Sequence, residues 1–393
     1  MIPVSLSPQL LAAPEQSEGR STLSLLKGLR LCFLAGTLGQ GGAERQLYQI
    51  LKCLAECGAV VDLLCLTKGE HWEKPISCLG ITVHYVGGAG SRLRRLLQII
   101  KEVRRLRPQV IQSQHFYANS YCAVAGRCCG IPSIGAVRND GLSELKSNGR
   151  FWGRLSLTLP QWVAANSHQA IGNLSSQGYT RRKFIFLPNV VDVNHFAPGI
   201  HAQSRQPLTI LGIGRLEPQK RFDRLFEIVT RLSAQASREI CVRIAGDGGQ
   251  RTLIETLAEQ ARQKGVKVEL LGRAGDTLKL YQSANVLLLT SDREGTPNVV
   301  MEAMACGLPV VATNVGGIAD LVKNGETGFL FEPGDTTGAL AALERLACEP
   351  ALTAEIGQRA RAFVEKHHSV SLLPEILTGL YEKILFLKPQ QFK

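Results

Sequence analysis

No apolar run in this sequence reaches the roughly 20 residues that a membrane-crossing helix needs, which argues against an integral membrane protein. Eleven cysteines are present, yet none forms a C-x-x-C pair or a zinc-type Cys/His spacing. Cys32, Cys65 and Cys241 sit inside apolar runs and read as small buried hydrophobes, so a reduced, cytosolic chain is the simplest account. There is no internal repeat of solenoid length. The N-terminus, MIPVSLSPQLLAAPEQSEGR, lacks a basic residue before its apolar patch and carries Glu15 and Glu18; it makes a poor secretory signal. Acids are the scarcer charge, 33 against 45 lysines and arginines, and the balance of +12 asks for an anionic partner. Nucleic acid would be one such partner, but no aromatic-interleaved basic motif or zinc module accompanies the charge.

What is present suits two domains of ordinary size: 393 residues, 45% hydrophobic and 20% charged. Strand–helix units recur along the chain. LRLCFLAG (29–36) reads as a strand, followed by a glycine loop and a helix in TLGQGGAERQLYQILKCLAECG. VVDLLCLT (60–67) and ITVHYVG (81–87) read as further strands. SRLRRLLQIIKEVRRLRP (91–108) is an amphipathic helix, with Leu93, Leu96, Leu97, Ile100 and Val103 on one face and seven cations crowding the other. A surface helix covering the sheet would show that pattern, and so would a cationic face for anionic lipid headgroups. PQVIQSQHFYANSYCAVAG (108–126) gives strand, loop and helix with His115 at the strand end, and PSIGAVRND (132–140) a strand leading to Arg138. Residues 141–157 are poorly patterned. After the polar HAQSRQP (201–207), the strand LTILGIG runs into Arg215 and Lys220. Gly212-x-Gly214 lacks the third glycine of a dinucleotide loop and has Glu217 there instead; two cations on this loop suit a terminal diphosphate.

The densest information lies in VLLLTSDREGTPNVVMEAMACGLPVVATNVGG (286–317). VLLLT has the length and branching of a buried parallel strand, and SDREGTPN is a loop with Pro297 suited to a first helical turn. The helix in VVMEAMACG closes at Gly307 before the strand LPVVATN. Loops at the carboxyl ends of such strands are where open α/β sheets bind ligands. Glu294 lies beside the helix N-terminus, which suits an anionic ligand, and Glu302 is able to accept hydrogen bonds from ligand hydroxyls. A helical Glu serves equally to cap or solvate its own helix.

The wording EGTPNVVMEAMACGLPVVATNVGG resembles the Glu-x7-Glu segment of the retaining family 4 glycosyltransferases, or glycosyltransferase group 1, which have the GT-B fold. GGAE resembles that family's N-terminal loop, GRLEPQK its phosphate-binding segment, and the surroundings of His115 its histidine loop. The match extends from about residue 28 to the end. It departs at Val190, where the family usually has Gly, at Asp320, where Glu is commoner, and at Gln112 and Gln114 beside His115, where a second histidine is frequent.

The resemblance implies an α/β chain of two facing Rossmann-like doubly wound domains with a cleft between them. Its segments would be an extension at 1–27, an acceptor domain at 28–200, a nucleotide-sugar domain at 201–368 and a helix at 369–393 that packs back on the first domain. It implies that a sugar leaves a nucleotide diphosphate with retention, without a metal or other cofactor. No Asp-x-Asp is present, and the arginine in Asp292-Arg293-Glu294 makes that run a poor metal site. Catalytic roles would fall to Glu294, His115, Arg215 and Lys220. The donor would meet Gly41, Gly42, Arg138, Gly214, Arg215, Lys220, Gly272, Arg273, Glu294, Gly295, Thr296, Pro297, Asn298, Val299 and Glu302. Charge and family habit point to a glycan or lipid-linked acceptor of the cell envelope and to a cytoplasmic chain held peripherally at the inner face of the plasma membrane. A nucleotide-sugar epimerase of the same architecture, or a non-catalytic nucleotide-sugar-binding scaffold, is the alternative.

Overall fold

LCFLA and LTILGI are apolar at almost every position, as befits parallel strands covered on both faces. The computed structural model describes residues 25–88, 90–199, 207–235 and 239–386. Most of the expected extension at 1–27, the linker up to residue 206 and the last seven residues of the expected terminal helix lie outside them.

Among the described residues the strands form two parallel sheets. The first contains β1 (Arg30–Ala35), β2 (Val60–Cys65), β3 (Thr82–Tyr85), β4 (Val110–Ser113), β5 (Ser133–Val137), β6 (Trp162–Ala165) and β7 (Phe184–Phe186), ordered β3-β2-β1-β4-β5-β6-β7. The second contains β8 (Leu208–Ile213), β9 (Ile240–Ala245), β10 (Lys267–Gly272), β11 (Val286–Leu289), β12 (Val310–Thr313) and β13 (Phe329–Phe331), ordered β10-β9-β8-β11-β12-β13. In each sheet the chain leaves its first strand toward one edge and later returns to that strand's other side. The switch points lie between β1 and β4 and between β8 and β11, where crevices open at the strand ends. This is the two-domain α/β architecture that the sequence leads one to expect.

Alternation along each strand divides the cores. Leu31, Phe33 and Ala35 of β1 face the Gly42–Glu56 helix, while Cys32 and Leu34 face the Arg92–Leu106 helix. The Leu373–Phe386 helix joins the first of these cores through Leu373, Leu377, Leu380, Tyr381 and Ile384, and the Tyr381 hydroxyl donates to Gln112 Oε1 at 2.9 Å. It is preceded by the Pro350–His368 helix, which packs in the second domain through Ile356, Ala360 and Val364. The chain crosses between them where the amide of Val191 donates to the His368 carbonyl at 2.8 Å and Val370 donates to Val191 at 3.0 Å.

Two elements differ from what the sequence leads one to expect. The buried stripe of the Arg92–Leu106 helix is Ile99, Ile100 and Val103, whereas Leu93 is 65% and Leu97 57% exposed. At 3.6 residues per turn, Leu97 points about a quarter-turn or more from that stripe, and Leu93 lies in the first turn, so neither is covered by the sheet. Residues 141–158 contain two helices, Leu142–Ser147 and Arg150–Thr158, too short for their periodicity to show in sequence. Among the described residues no helix is long and apolar enough to cross a membrane.

Candidate active site

The carboxyl ends of the two sheets face one another, and small or polar residues let the loops meet. Gly295 is one such position: a Cβ there would stand 2.5 Å from the Arg138 carbonyl oxygen and 3.1 Å from Asn139 Cα. Gly316, with φ +55°, lies so close beneath Glu294 that a Cβ would fall 1.8 Å from its carbonyl oxygen. The loop after β11 is thereby pressed between the β12 turn and the first domain. Thr296 Oγ1 donates to the Asn166 carbonyl at 2.5 Å, and Asn189 Nδ2 donates to the Thr296 carbonyl at 2.8 Å. Pro297 is the residue before the first turn of the Asn298–Ala305 helix rather than within it. Asn298 bridges the domains, accepting from Gln46 at 3.1 Å and donating to the Gly42 carbonyl at 3.1 Å. At the outer rim, Asp320 accepts the backbone amide of His168 at 2.9 Å.

Both glutamates of the core stretch are buried and engaged. Glu294 Oε1 receives Lys220 Nζ at 2.5 Å and Ser291 Oγ at 2.7 Å. Lys220 ends a short 3₁₀ turn, Pro218–Lys220, so the loop after β8 carries its ammonium to the loop after β11 at the switch point. Glu302 accepts the Tyr281 hydroxyl at 2.8 Å on Oε2, and Arg45 of the opposite domain on Oε1. Burial, and then the Glu302 carboxylate, hold the Tyr281 phenol well above its ordinary range, so it stays protonated and donates. Asp292 is turned away, paired with Arg221 and Arg224.

His115 stands at the end of β4 across the cleft. The Gly36 amide donates to Nδ1 at 3.0 Å, which leaves Nε2 as the protonated nitrogen, 3.0 Å from Glu44 Oε1. Its ring stacks on Tyr117 at 5.5 Å between centroids. A cavity of about 230 Å³ opens beside it, lined by His115, Tyr117, Arg138 and Glu144 of the first domain and Gln219 and Arg293 of the second. Glu144 accepts the amides of Arg138 and Asn139 at 3.0 and 3.3 Å, and burial pushes its carboxyl up to about 7.

The structure thus gathers His115, Arg138, Lys220, Glu294 to Val299 and Glu302, with Gly42 against Asn298 and Gly41 just before it. Gly214 and the exposed Arg215 lie on the β8 loop, while Gly272 and Arg273 end β10 two strands further along. Arg45, Tyr281, Glu44 and Glu144 were not singled out in sequence. Glu44 belongs to the GGAE wording and was within reach; Arg45 and Tyr281 meet Glu302 only through the fold.

Residues 196–363 match the family described as glycosyl transferases group 1, and residues 40–195 match glycosyltransferase family 4. The lipopolysaccharide core biosynthesis glycosyltransferase LpsE of Rhizobium meliloti is 24% identical over 355 residues, 89% of this chain and 97% of that protein. The N-acetyl-alpha-D-glucosaminyl L-malate synthase of Bacillus anthracis is 32% identical over 157 residues, covering 40% of this chain and 39% of the synthase. Several curated relatives are matched over less than two thirds of their own length. Among solved structures, Anabaena Alr3699/HepE in complex with UDP superposes with a TM-score of 0.79 at 20% identity, over 90% of this chain and all of that one.

Proposed function

The chain belongs to the group 1, family 4 glycosyltransferases of GT-B fold, and from that membership we propose that it transfers a sugar from a nucleotide-diphosphate sugar to a glycan or lipid-linked acceptor, with retention at the anomeric carbon. The observation that carries this is the cleft itself: two buried glutamates from one strand–loop–helix unit, each already holding a cation, at the meeting point of two nucleotide-binding-type sheets. The UDP bound to Anabaena Alr3699/HepE supports a uridine nucleotide as the first donor to try.

In this reading Glu302 accepts the ribose hydroxyls and Glu294 faces the donor sugar. Gly41 and Gly42 let the backbone approach the diphosphate, and Gly272 and Arg273 border the base. Breaking the glycosidic bond leaves negative charge on the diphosphate, which Arg215 and Lys220 neutralise without a metal. Positive charge develops on the sugar beside Glu294. The acceptor hydroxyl attacks from the face the diphosphate is leaving and gives its proton to the departing phosphate oxygen. His115 has both ring nitrogens occupied, so its part is to shape the sugar's surroundings rather than to take that proton.

The LpsE similarity supports an envelope-glycan acceptor, and the basic helix with its exposed leucines supports peripheral attachment to an anionic membrane surface. Calorimetry with a panel of nucleotide sugars, with and without chelator, tests the donor reading. One tightly bound donor, indifferent to chelator and lost in Glu302→Ala, is the expected result; no binding to any donor would instead favour a scaffold role. Product analysis separates transfer from epimerisation, since an epimerase returns an isomeric nucleotide sugar.

A further inference from the structure

Arg138 is the unresolved charge of the cleft. Its backbone is pinned: the amide donates to Glu144 Oε1 at 3.0 Å, and the carbonyl accepts Asn166 Nδ2 at 3.3 Å while resting against Gly295. Arg138 is one of the residues lining the 230 Å³ cavity. Its guanidinium reaches only a neutral acceptor among the described residues, Gln114 Oε1 at 3.3 Å, and its sealed Nε has no hydrogen-bond partner.

A half-buried guanidinium with a sealed, unpaired Nε–H is costly, and desolvation pulls this one down to about 10. Glu144 lends it Coulombic support, but both oxygens of that carboxylate are engaged by the backbone amides of Arg138 and Asn139, and it forms no ion pair with the guanidinium among the described residues. The neighbouring cations differ: Lys220 holds Glu294, Arg45 holds Glu302 and Arg224 holds Asp292. Arg293, exposed on the second domain, adds another cation to the same cavity. Two guanidiniums from opposite domains therefore face one space.

We propose that this cavity is an acceptor subsite that selects an acceptor bearing a phosphate or carboxylate near the hydroxyl that receives the sugar. The assignment rests on the transferase reading. Although the sequence resemblance groups Arg138 with donor contacts, it lines the cavity beside His115, Tyr117 and Glu144 of the first domain, and Arg215 is not among the residues lining that cavity. The acceptor's anion would take the guanidinium N–H groups that face the cavity, in the paired geometry that guanidinium offers, and the neighbouring Nε–H reports on it. Arg293 would complete the site only when the domains are together.

The test is side-chain NMR of the arginine Nε–H groups, with the full chain, in the presence and absence of UDP. Glycerol 3-phosphate, glycerate and glycerol serve as phosphate, carboxylate and neutral probes. The Arg138 Nε–H resonance should shift with one or both anions and not with glycerol, and the two anions rank the chemistry. Arg138→Gln should weaken the responding probe by about tenfold or more, and Arg293→Gln should weaken it less, while the UDP dissociation constant of both variants stays near that of the parent. An unmoved resonance in the UDP-bound protein overturns the proposal. So does competition between the anion and UDP, or an equal loss of UDP affinity in Arg138→Gln, either of which would put Arg138 on the donor side. If UDP and nucleotide sugars do not bind at all but phosphate still shifts Arg138, the anion site stands and the transferase reading falls.

Discussion

Each carboxylate of the Glu-x7-Glu segment is already satisfied by a partner that a ligand would have to share or displace. Glu302 is held by Tyr281 and Arg45, so removing it strands a buried phenol and an interdomain guanidinium together. Glu302→Ala should therefore abolish nucleotide-sugar binding in calorimetry while circular dichroism shows an intact fold. Arg215 is exposed and structurally idle, so Arg215→Ala should keep its thermal stability and lose about a hundredfold in kcat, the scale for removing one electrostatic stabiliser; unchanged turnover would remove it from the mechanism. Glu144 offers a pH signature. Its folded-state pKa near 7 lies above the unfolded value, so its contribution to stability is full below about 4.5 and declines as pH rises through 7. Carbon-detected titration of its carboxyl should show a midpoint near 7, and an ordinary carboxylate midpoint would contradict the buried setting. Glu294, Glu302 and Lys220 were legible because their motifs are local in sequence. Tyr281 was not, because nothing within its own helix says that its hydroxyl meets a carboxylate 21 residues later.

Periodicity located the helices better than it oriented them. The leucines of Arg92–Leu106 read as one apolar face, but only part of that face is covered, because the sheet extends under its later turns. Arg92 of the same helix stands 5.3 Å over the ring of Trp152, which with Phe151 begins the Arg150–Thr158 helix, 50% and 68% exposed. Exposed leucines and aromatics among arginines are what an interfacial surface requires. Binding to vesicles containing anionic lipid should fall in Leu93→Ser/Trp152→Ser and fall further when Arg92, Arg94 and Arg95 are neutralised, at about 1 kcal/mol per cation near the surface. Co-sedimentation equal in neutral and anionic vesicles would sink the membrane assignment. The two short helices after residue 141 were illegible because fewer than three turns carry too little period to detect.

At the scale of the molecule, the cleft is latched. Arg45–Glu302, Asn298–Gly42 and Asn189–Thr296 all join the two domains. If Glu302 takes the ribose, Arg45 must release it, so nucleotide binding is coupled to domain rearrangement. Arg45→Ala should raise nucleotide affinity severalfold and lower the ligand-free melting temperature; weaker binding would mean that Arg45 itself contacts the donor. Gly295→Ala tests the closed state from the other side. Its methyl group would meet backbone, not a flexible side chain, so transfer should be lost while nucleotide binding to the second domain persists. Strand–helix alternation pointed to α/β units, and the family resemblance to two doubly wound sheets; the latch was not legible, since its partners come from opposite halves of the chain.

The crossing at Val191 and Ser369 carries one more consequence, and it concerns synthesis. The first domain's core includes Leu377, Tyr381 and Ile384, which reach the ribosome exit only after the entire second domain has been made. A nascent chain that has passed Phe196 has its first sheet but an uncovered apolar face above the Gly42–Glu56 helix, and it must wait in that state. A polypeptide stopped before residue 369 should consequently bind chaperones or aggregate, and a separately supplied segment spanning Leu373–Phe386 should rescue it.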